Sequence, residues 1–489
     1  MKIVNTVLCS LLLALMLTLP VAAADPPSEV TLFKNVNIFD GENEKLLEGY
    51  DVLVVKNLIK KIDKEIELAD TYVIDVKTGG LHPVATGKTH SCVFMTKDVD
   101  VMVYDPVKMV KHEVKVKVIN GKGRTLMPGL IDAHWHIMLS VMPVSTMMST
   151  DLGYLSIAAA KGARETLLRG FTSVRDAGGN VFGVKRAIDE GLVDGPRVYP
   201  SGPFIGQTSG HGDFRGPNDV PEAPGTPFNY MQRTHSFIAD GVPEVIKRTR
   251  EILRMGATQI KAHAGGGVSS LYDPLDVTQY TFEEAKAICD VAKTWNTYVM
   301  IHVNTDAAIK QWVNAGVLSV EHGFFIEEKT AKLMAKKGVW WSMQPLMNDE
   351  DAFVFENPVS QAKYEQVVAG LDNVVAFTKK YKVKTAFGTD MLFDPALAAK
   401  QGKFLAKLKK WYTPYETLKM ATHDNAQLLK LCGPRDPYPG EFGVVKEGAL
   451  ADLILVEGNP LENLDLVADP DKNFLVIMKD GKIYKNTVH

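Results

Sequence analysis

Six of the chain's twelve histidines, His134, His136, His211, His263, His302 and His322, fall at or just after short β-forming runs. Imidazole binds zinc and similar ions, and a carboxylate completes many such ligand sets. His134 and His136 belong to Asp132-Ala-His-Trp-His. On a strand, residues i and i+2 point the same way, so both rings can face one ion. Alone, such a pair could equally be packed and hydrogen-bonded. His302, His322 and Asp390 add donors at the ends of three further runs. Each could separately be a core histidine or a helix-capping aspartate. Together they bring imidazole and carboxylate groups to one rim from four strands, which suits a metal ion.

Lys261 narrows the chemistry. It lies in Gln259-Ile-Lys-Ala-His, and on the inward face its ammonium would be repelled by two nearby dications. Addition of CO2 to the amine removes that conflict. The carbamate is anionic and offers one oxygen to each of two ions. A lysine salt-bridged elsewhere on the rim is the alternative. His263 follows two positions later on the same face. His211 sits in the Gly-rich run Gly206-Gln-Thr-Ser-Gly-His-Gly-Asp, where it could hydrogen-bond a developing oxyanion or simply order its loop.

These residues need a scaffold that gathers strand ends. From Leu130 onward, short β runs alternate with amphipathic helical stretches such as Val242–Met255 and Phe282–Trp295. The β runs start near Leu130, Thr172, Arg197, Gln259, Tyr298, Leu318, Val339 and Lys384. Eight strand–helix units over roughly 300 residues predict an α/β fold, a (β/α)8 barrel with its active site at the C-terminal strand ends. An open doubly wound sheet is the alternative, but no Gly-x-Gly-x-x-Gly follows the first strand. Alternating runs near both chain ends, including one with an Asp480-Gly481 turn, predict strands that pair into one small β-sandwich domain. The expected division is 25–127 for the first part of that domain, 128–436 for the barrel and 437–489 for the return. An insertion at about 78–118 reads as an extra hairpin.

Of the 489 residues, 46% are hydrophobic and 23% charged, and the net charge is -3. That composition supports a large core and offers no electrostatic footprint for nucleic acid. Lys2, the apolar run Val7–Val21 and Ala22-Ala-Ala read as a signal peptide over 1–24. The expected location is therefore periplasmic or secreted, with no membrane span after signal removal. Cys92, Cys289 and Cys432 cannot all pair and show no zinc-type spacing.

Pro128-Gly-Leu-Ile-Asp-Ala-His-Trp-His resembles the first-strand signature of the amidohydrolase superfamily. Ser319-Val-Glu-His-Gly and Phe387-Gly-Thr-Asp resemble its sixth- and eighth-strand signatures. The Gly206 run and Ile260-Lys-Ala-His-Ala-Gly-Gly-Gly-Val are similar to the Xaa-Pro dipeptidase-like, imidazolonepropionase-related branch. The resemblance implies two divalent ions, with zinc the expected identity. His134, His136 and Asp390 would hold one ion, His302 and His322 the other, and carboxylated Lys261 would bridge them. His263 departs from the pattern, since an apolar residue is expected there, and it is a candidate substrate contact.

The expected reaction is hydrolysis of an amide in a dipeptide or N-acyl amino acid. A hydroxide shared by two ions about 3.5–4 Å apart attacks the carbonyl, with Asp390 as general base and then acid. A substrate carboxylate calls for a planar arginine fork, and Tyr230 and Arg233 are the candidates. Lactone, ester or cyclic-amide hydrolysis on the same scaffold is the rival chemistry. A non-catalytic metal-binding protein is the rival class. The expected partner is a small-molecule or dipeptide substrate, with a homo-oligomer open.

Overall fold

The computed structural model describes residues 30–488 apart from 67–71, 75–80, 84–91, 96–99, 106–109, 217, 220–230 and 232–233. Within 72–115 only the strand backbone is described. Each of the eight expected runs forms a strand: β1 (Leu130–Trp135), β2 (Phe171–Asp176), β3 (Arg197–Pro200), β4 (Ile260–His263), β5 (Val299–Thr305), β6 (Ser319–Phe325), β7 (Trp340–Met343) and β8 (Thr385–Phe387). Strands β1 to β3 form one parallel sheet. Strands β4 to β8 form a second parallel sheet, edged by the short strands Phe204–Gly206 and Ser236–Ile238. Those two edge strands have three residues each, too few for a periodic pattern to announce them. The fold is α/β.

Every residue of β1 to β4 and β7 is buried. That is the signature of parallel strands covered on both faces. The two sheets meet at both ends. Thr258 N donates to Pro200 O at 2.8 Å, and Asp390 N donates to His134 O at 2.8 Å. The helix Val242–Met255 has the bounds expected from sequence, and Gly256 ends it in the left-handed region at φ 105°. The helix Phe282–Thr294 starts at a capping box between Thr281 and Glu284.

Strands from both chain ends share one ten-stranded sheet. Leu453–Val456 runs antiparallel to Thr125–Pro128, which pairs parallel with Val30–Ile38. The sheet branches at Val30–Ile38, which also pairs with Leu47–Val55 and Val110–Asn120. The last hairpin joins Phe474–Lys479 to Lys482–Asn486. Its Asp480 and Gly481 have φ of 54° and 75°, so a type I′ turn matches the strand twist. In the expected insertion, Cys92–Met95, Asp100–Asp105 and Val110–Asn120 pair antiparallel in succession. Residues 1–29, which carry the expected signal peptide, lie outside the described residues. Among the described residues no helix is long and apolar enough to cross a membrane.

Candidate active site

The C-terminal ends of the parallel strands surround a cavity of about 760 Å³. Its walls carry His134 from β1, His136 just beyond it, Lys261 and His263 from β4, His302 from β5 and His322 from β6. Asp390 follows β8, and His211 comes from the Gly-rich loop after Phe204–Gly206. Eight residues singled out by type and spacing therefore share one cavity. Tyr230 and Arg233 lie outside the described residues.

Asp390 is the meeting point. Its Oδ1 lies 3.2 Å from His134 Nε2 and 3.0 Å from His136 Nε2, and its Oδ2 lies 3.8 Å from His322 Nε2. Ligand atoms of His134, His322 and Asp390 all fall within 4.8 Å of one another. Lys261 Nζ lies 3.4 Å from His134 Nε2.

The opposite nitrogen of each imidazole is anchored. His134 Nδ1 donates to Glu321 Oε2 at 2.8 Å, His136 Nδ1 to Gly178 O at 3.1 Å and His322 Nδ1 to Gln344 Oε1 at 2.8 Å. His302 is anchored the other way round, with Nε2 donating to Gly266 O at 3.1 Å. A ring that donates from one nitrogen presents a lone pair at the other. The buried rings of His136 and His322 therefore turn acceptors toward an anionic carboxylate, and His134 turns its Nε2 to the same group. A cation among them removes that conflict, and these outer contacts fix the ring orientation a metal needs. The residues fit a metal ion.

The electrostatics agree. Burial holds the His136 imidazole below its usual range and takes His322 down to about 3. Burial also lowers the Lys261 amine to about 8, against the pull of Glu321 and Asp390. Burial pushes Asp390 up, but His134, His136 and His322 outweigh it and hold the carboxyl well below its usual range. At neutral pH the Asp390 carboxyl is therefore ionised while the His136 and His322 rings beside it are neutral.

The backbone is strained to make this arrangement. His322 and Asp390 have φ of 70° and 55°, in the left-handed region that side chains with a Cβ rarely adopt. Each such residue costs on the order of 1–3 kcal/mol and persists only where its surroundings hold it in place. In a regular strand Glu321 and His322 would point to opposite faces. Here both reach the same cluster. Asp132 supports the turn before Asp390: its Oδ1 accepts from His134 N and Thr389 N, and its Oδ2 from Thr389 Oγ1 at 2.6 Å. A Cβ on Gly388 would sit 2.4 Å from His134 Cβ, so only glycine lets the two turns close.

One wall is formed by stacked rings. His211 lies parallel to His302, with centroids 4.0 Å apart and planes at 12°. Its Nδ1 lies 2.7 Å from Ser270 Oγ and 3.2 Å from Asp273 Oδ2. Lys363 Nζ donates to the carbonyls of Gly267, Ser270 and Asp273, which pins that loop. His263 packs 4.6 Å from the Phe204 ring, and its Nδ1 has no partner among the described residues.

Sequence reasoning missed Glu321, Gln344, Asp132, Lys363 and Arg215. Glu321 and Asp132 sit inside the motifs that were read, and their polarity at interior strand positions was the available signal. Gln344, Lys363 and Arg215 come from connections and a helix, where no periodicity marks them. Arg215 is the arginine among the described residues lining the cavity, and its fork grips Asp213 from Nε at 2.8 Å and from Nη2. The methionines Met138, Met142 and Met147 after β1 are buried in a core cluster, in line with ordinary packing.

Comparison with known proteins places this geometry. The profile of the amidohydrolase family matches residues 125–484. Ochratoxinase from Aspergillus niger is 33% identical over 377 residues, covering 74% of this chain and 75% of that protein. Among solved structures, a prolidase complexed with N-methylphosphonate-L-proline superposes with a TM-score of 0.77 at 31% identity, covering 94% of this chain and 100% of that one. The structure of A. niger ochratoxinase superposes with a TM-score of 0.71 at 25% identity, covering 94% and 96%.

Proposed function

We propose a function for this chain from one premise: it belongs to the amidohydrolase family. It is a hydrolase of carbon–nitrogen bonds. Its finer reading is an exported, binuclear metal-dependent amidohydrolase that cleaves the amide of a dipeptide or N-acyl amino acid. The observation that carries this reading is the convergence of the His134, His136 and His322 imidazoles on the Asp390 carboxylate beneath one cavity. The eight parallel strands close into a (β/α)8 barrel, a reading supported by hydrogen bonds at both seams between the two sheets. The ten-stranded sheet is a satellite domain.

His134, His136 and Asp390 would hold one ion, His302 and His322 the other. Bound ions would polarise the amide carbonyl and lower the pKa of water at the site. Lys261 would bridge as its carbamate. Its buried amine, lowered to about 8, is partly neutral at physiological pH, and only the neutral amine adds CO2. In that step Nζ bonds the carbon of CO2 and releases one proton to solvent. Asp390 takes a proton from the attacking water and returns it to the leaving nitrogen. His211 lies over His302, where its ring faces the developing oxyanion.

The substrate has a bulky apolar part and a carboxylate. Phe204, Phe214, Phe353, Phe355 and Tyr364 line the cavity, with Arg215 among them. A similar prolidase was crystallised with a proline derivative, which carries a carboxylate of the same kind. Arg215, Tyr230 and Arg233 are the candidates to receive it, and His263 tunes the apolar wall. The test is a screen of zinc-reconstituted protein against Xaa-Pro dipeptides, N-acyl amino acids with large side chains, and matched lactones, alongside metal counting. Two ions per chain and amide turnover support the reading. Faster lactone turnover favours the rival chemistry. Less than one ion per chain with no turnover removes the enzyme mechanism.

A further inference from the structure

We propose that Glu321 is a positioning residue for the metal site: its carboxylate, anchored by Arg175, holds His134 in the tautomer that turns Nε2 toward a cation. Glu321 and Arg175 are both fully buried, with 0% of either side chain exposed. Glu321 Oε1 accepts from Arg175 Nη2 at 2.9 Å and Ser319 Oγ at 2.5 Å. Glu321 Oε2 accepts from Arg175 Nη2 and His134 Nδ1, both at 2.8 Å. Three donor groups thus make four contacts with the two oxygens of an ionised carboxylate. A protonated glutamic acid could not accept all four.

Arg175 is spent just as fully. Its Nε donates to Ala133 O at 2.5 Å, and its Nη1 to Ser319 Oγ at 3.1 Å and Tyr298 Oη at 3.4 Å. The guanidinium therefore has no freedom to rotate away from Glu321. The chain of contacts runs from β2 through β6 to β1 and ends on a ring whose other nitrogen faces Asp390. Buried ion pairs are often only structural and can even be replaced by apolar residues. The contact with His134 Nδ1 sets this one apart, because a carboxylate there both selects the Nδ1–H tautomer and makes Nε2 a stronger donor to a metal.

This inference rests on the proposed metal site. The experiment measures zinc affinity by competition with a chelating dye, together with the melting temperature of metal-free protein. Wild type that binds no zinc defeats the metal-site reading, and the inference falls with it. Given binding by wild type, Glu321→Gln is expected to weaken zinc affinity by about 10–100-fold, and KM is expected to change far less than kcat. Ser319→Ala removes one of the three donors without creating an unpaired charge, and is expected to weaken zinc severalfold. It also serves if Glu321→Gln does not fold. Wild-type zinc affinity in a folded Glu321→Gln protein would overturn the proposal. So would a Ser319→Ala protein that melts earlier yet binds zinc unchanged.

Discussion

Two charge clusters in this molecule use aspartate to different ends. One joins β3 to the C-terminal strands. Arg197 Nε donates to Asp452 Oδ2 at 3.0 Å, and its Nη2 reaches Asp452 Oδ1 at 3.2 Å and Asp480 Oδ1 at 2.7 Å. Asp480 N adds a bond to Asp452 Oδ1 at 2.7 Å. Cation and anions face each other directly. The other cluster, at the strand ends, turns three imidazole lone pairs and a carboxylate inward. Among the described residues Lys261 is the cation in contact with it. The first cluster satisfies itself, and the second asks for something from outside. The balance of donors and acceptors separates structure from function more sharply than burial or charge.

The comparison breaks if the two clusters respond alike to mutation. Asp390→Asn keeps the size of the side chain and removes the proposed base. Turnover is expected to fall by about 10³-fold, with the far-UV spectrum unchanged and the melting temperature within a few degrees. Asp452→Ala leaves Arg197 only partly paired in a buried place. It is expected to cost on the order of 3 kcal/mol of stability, read from denaturant midpoints, with kcat per folded molecule unchanged. Loss of turnover without loss of stability at Asp452, or the reverse at Asp390, would dissolve the distinction.

Much of the first cluster's purpose was hidden in the sequence, while much of the second was open. The eight parallel strands were legible because buried β-forming runs alternate with helical ones. The six metal-ligand candidates were legible because their types recur at strand ends. Asp452 gave no such signal: it opens a run that reads as a strand, and its partner Arg197 lies 255 positions away. Glu321 was visible but silent for the same reason, since its partners His134 and Arg175 come from β1 and β2. The strands Phe204–Gly206 and Ser236–Ile238 were too short to read. The left-handed turns at His322 and Asp390 leave no mark on composition, because both residues are common elsewhere. What sequence pattern carries is periodic and local; what it leaves out is the pairing of distant polar groups.

Acid should tell the clusters apart more gently. Burial holds His235 down to about 4 and His322 to about 3, and lowers His136, His263 and His302 as well. In the unfolded chain these rings protonate near pH 6.5. As pH falls below that value the unfolded state takes up protons first, so stability declines. Each ring contributes a slope of up to about 1.4 kcal/mol per pH unit until its folded pKa is reached. Metal-free protein is therefore expected to lose melting temperature steadily from pH 7 to pH 5. Zinc should raise the whole profile and leave its slope at least as steep, because the rings that bind it are already unprotonated in the folded protein and the protons are taken up by the unfolded chain. A flat metal-free profile over this range would mean that the imidazoles of the second cluster are already charged in the folded state.

The smallest effect sharpens the comparison at a third arginine. Arg215 sits at the cavity wall, and its Nε and Nη2 hold Asp213. Its side chain is 12% exposed, against 6% for Arg197. Where Arg197 is gripped by two carboxylates, Arg215 is paired with Asp213 and opens on the cavity. That leaves part of its fork for a ligand carboxylate. Lysine keeps the charge but offers a point rather than a planar fork, and it cannot hold Asp213 and a second carboxylate in the same geometry. Arg215→Lys is expected to raise KM about tenfold, or about 1.4 kcal/mol, for a substrate with a free carboxylate. The matching carboxamide should show little change in KM, and kcat should hold for both. An equal rise for both substrates would make Arg215 a brace for Asp213 and its loop, placing it with Arg197 rather than with the cluster at the strand ends.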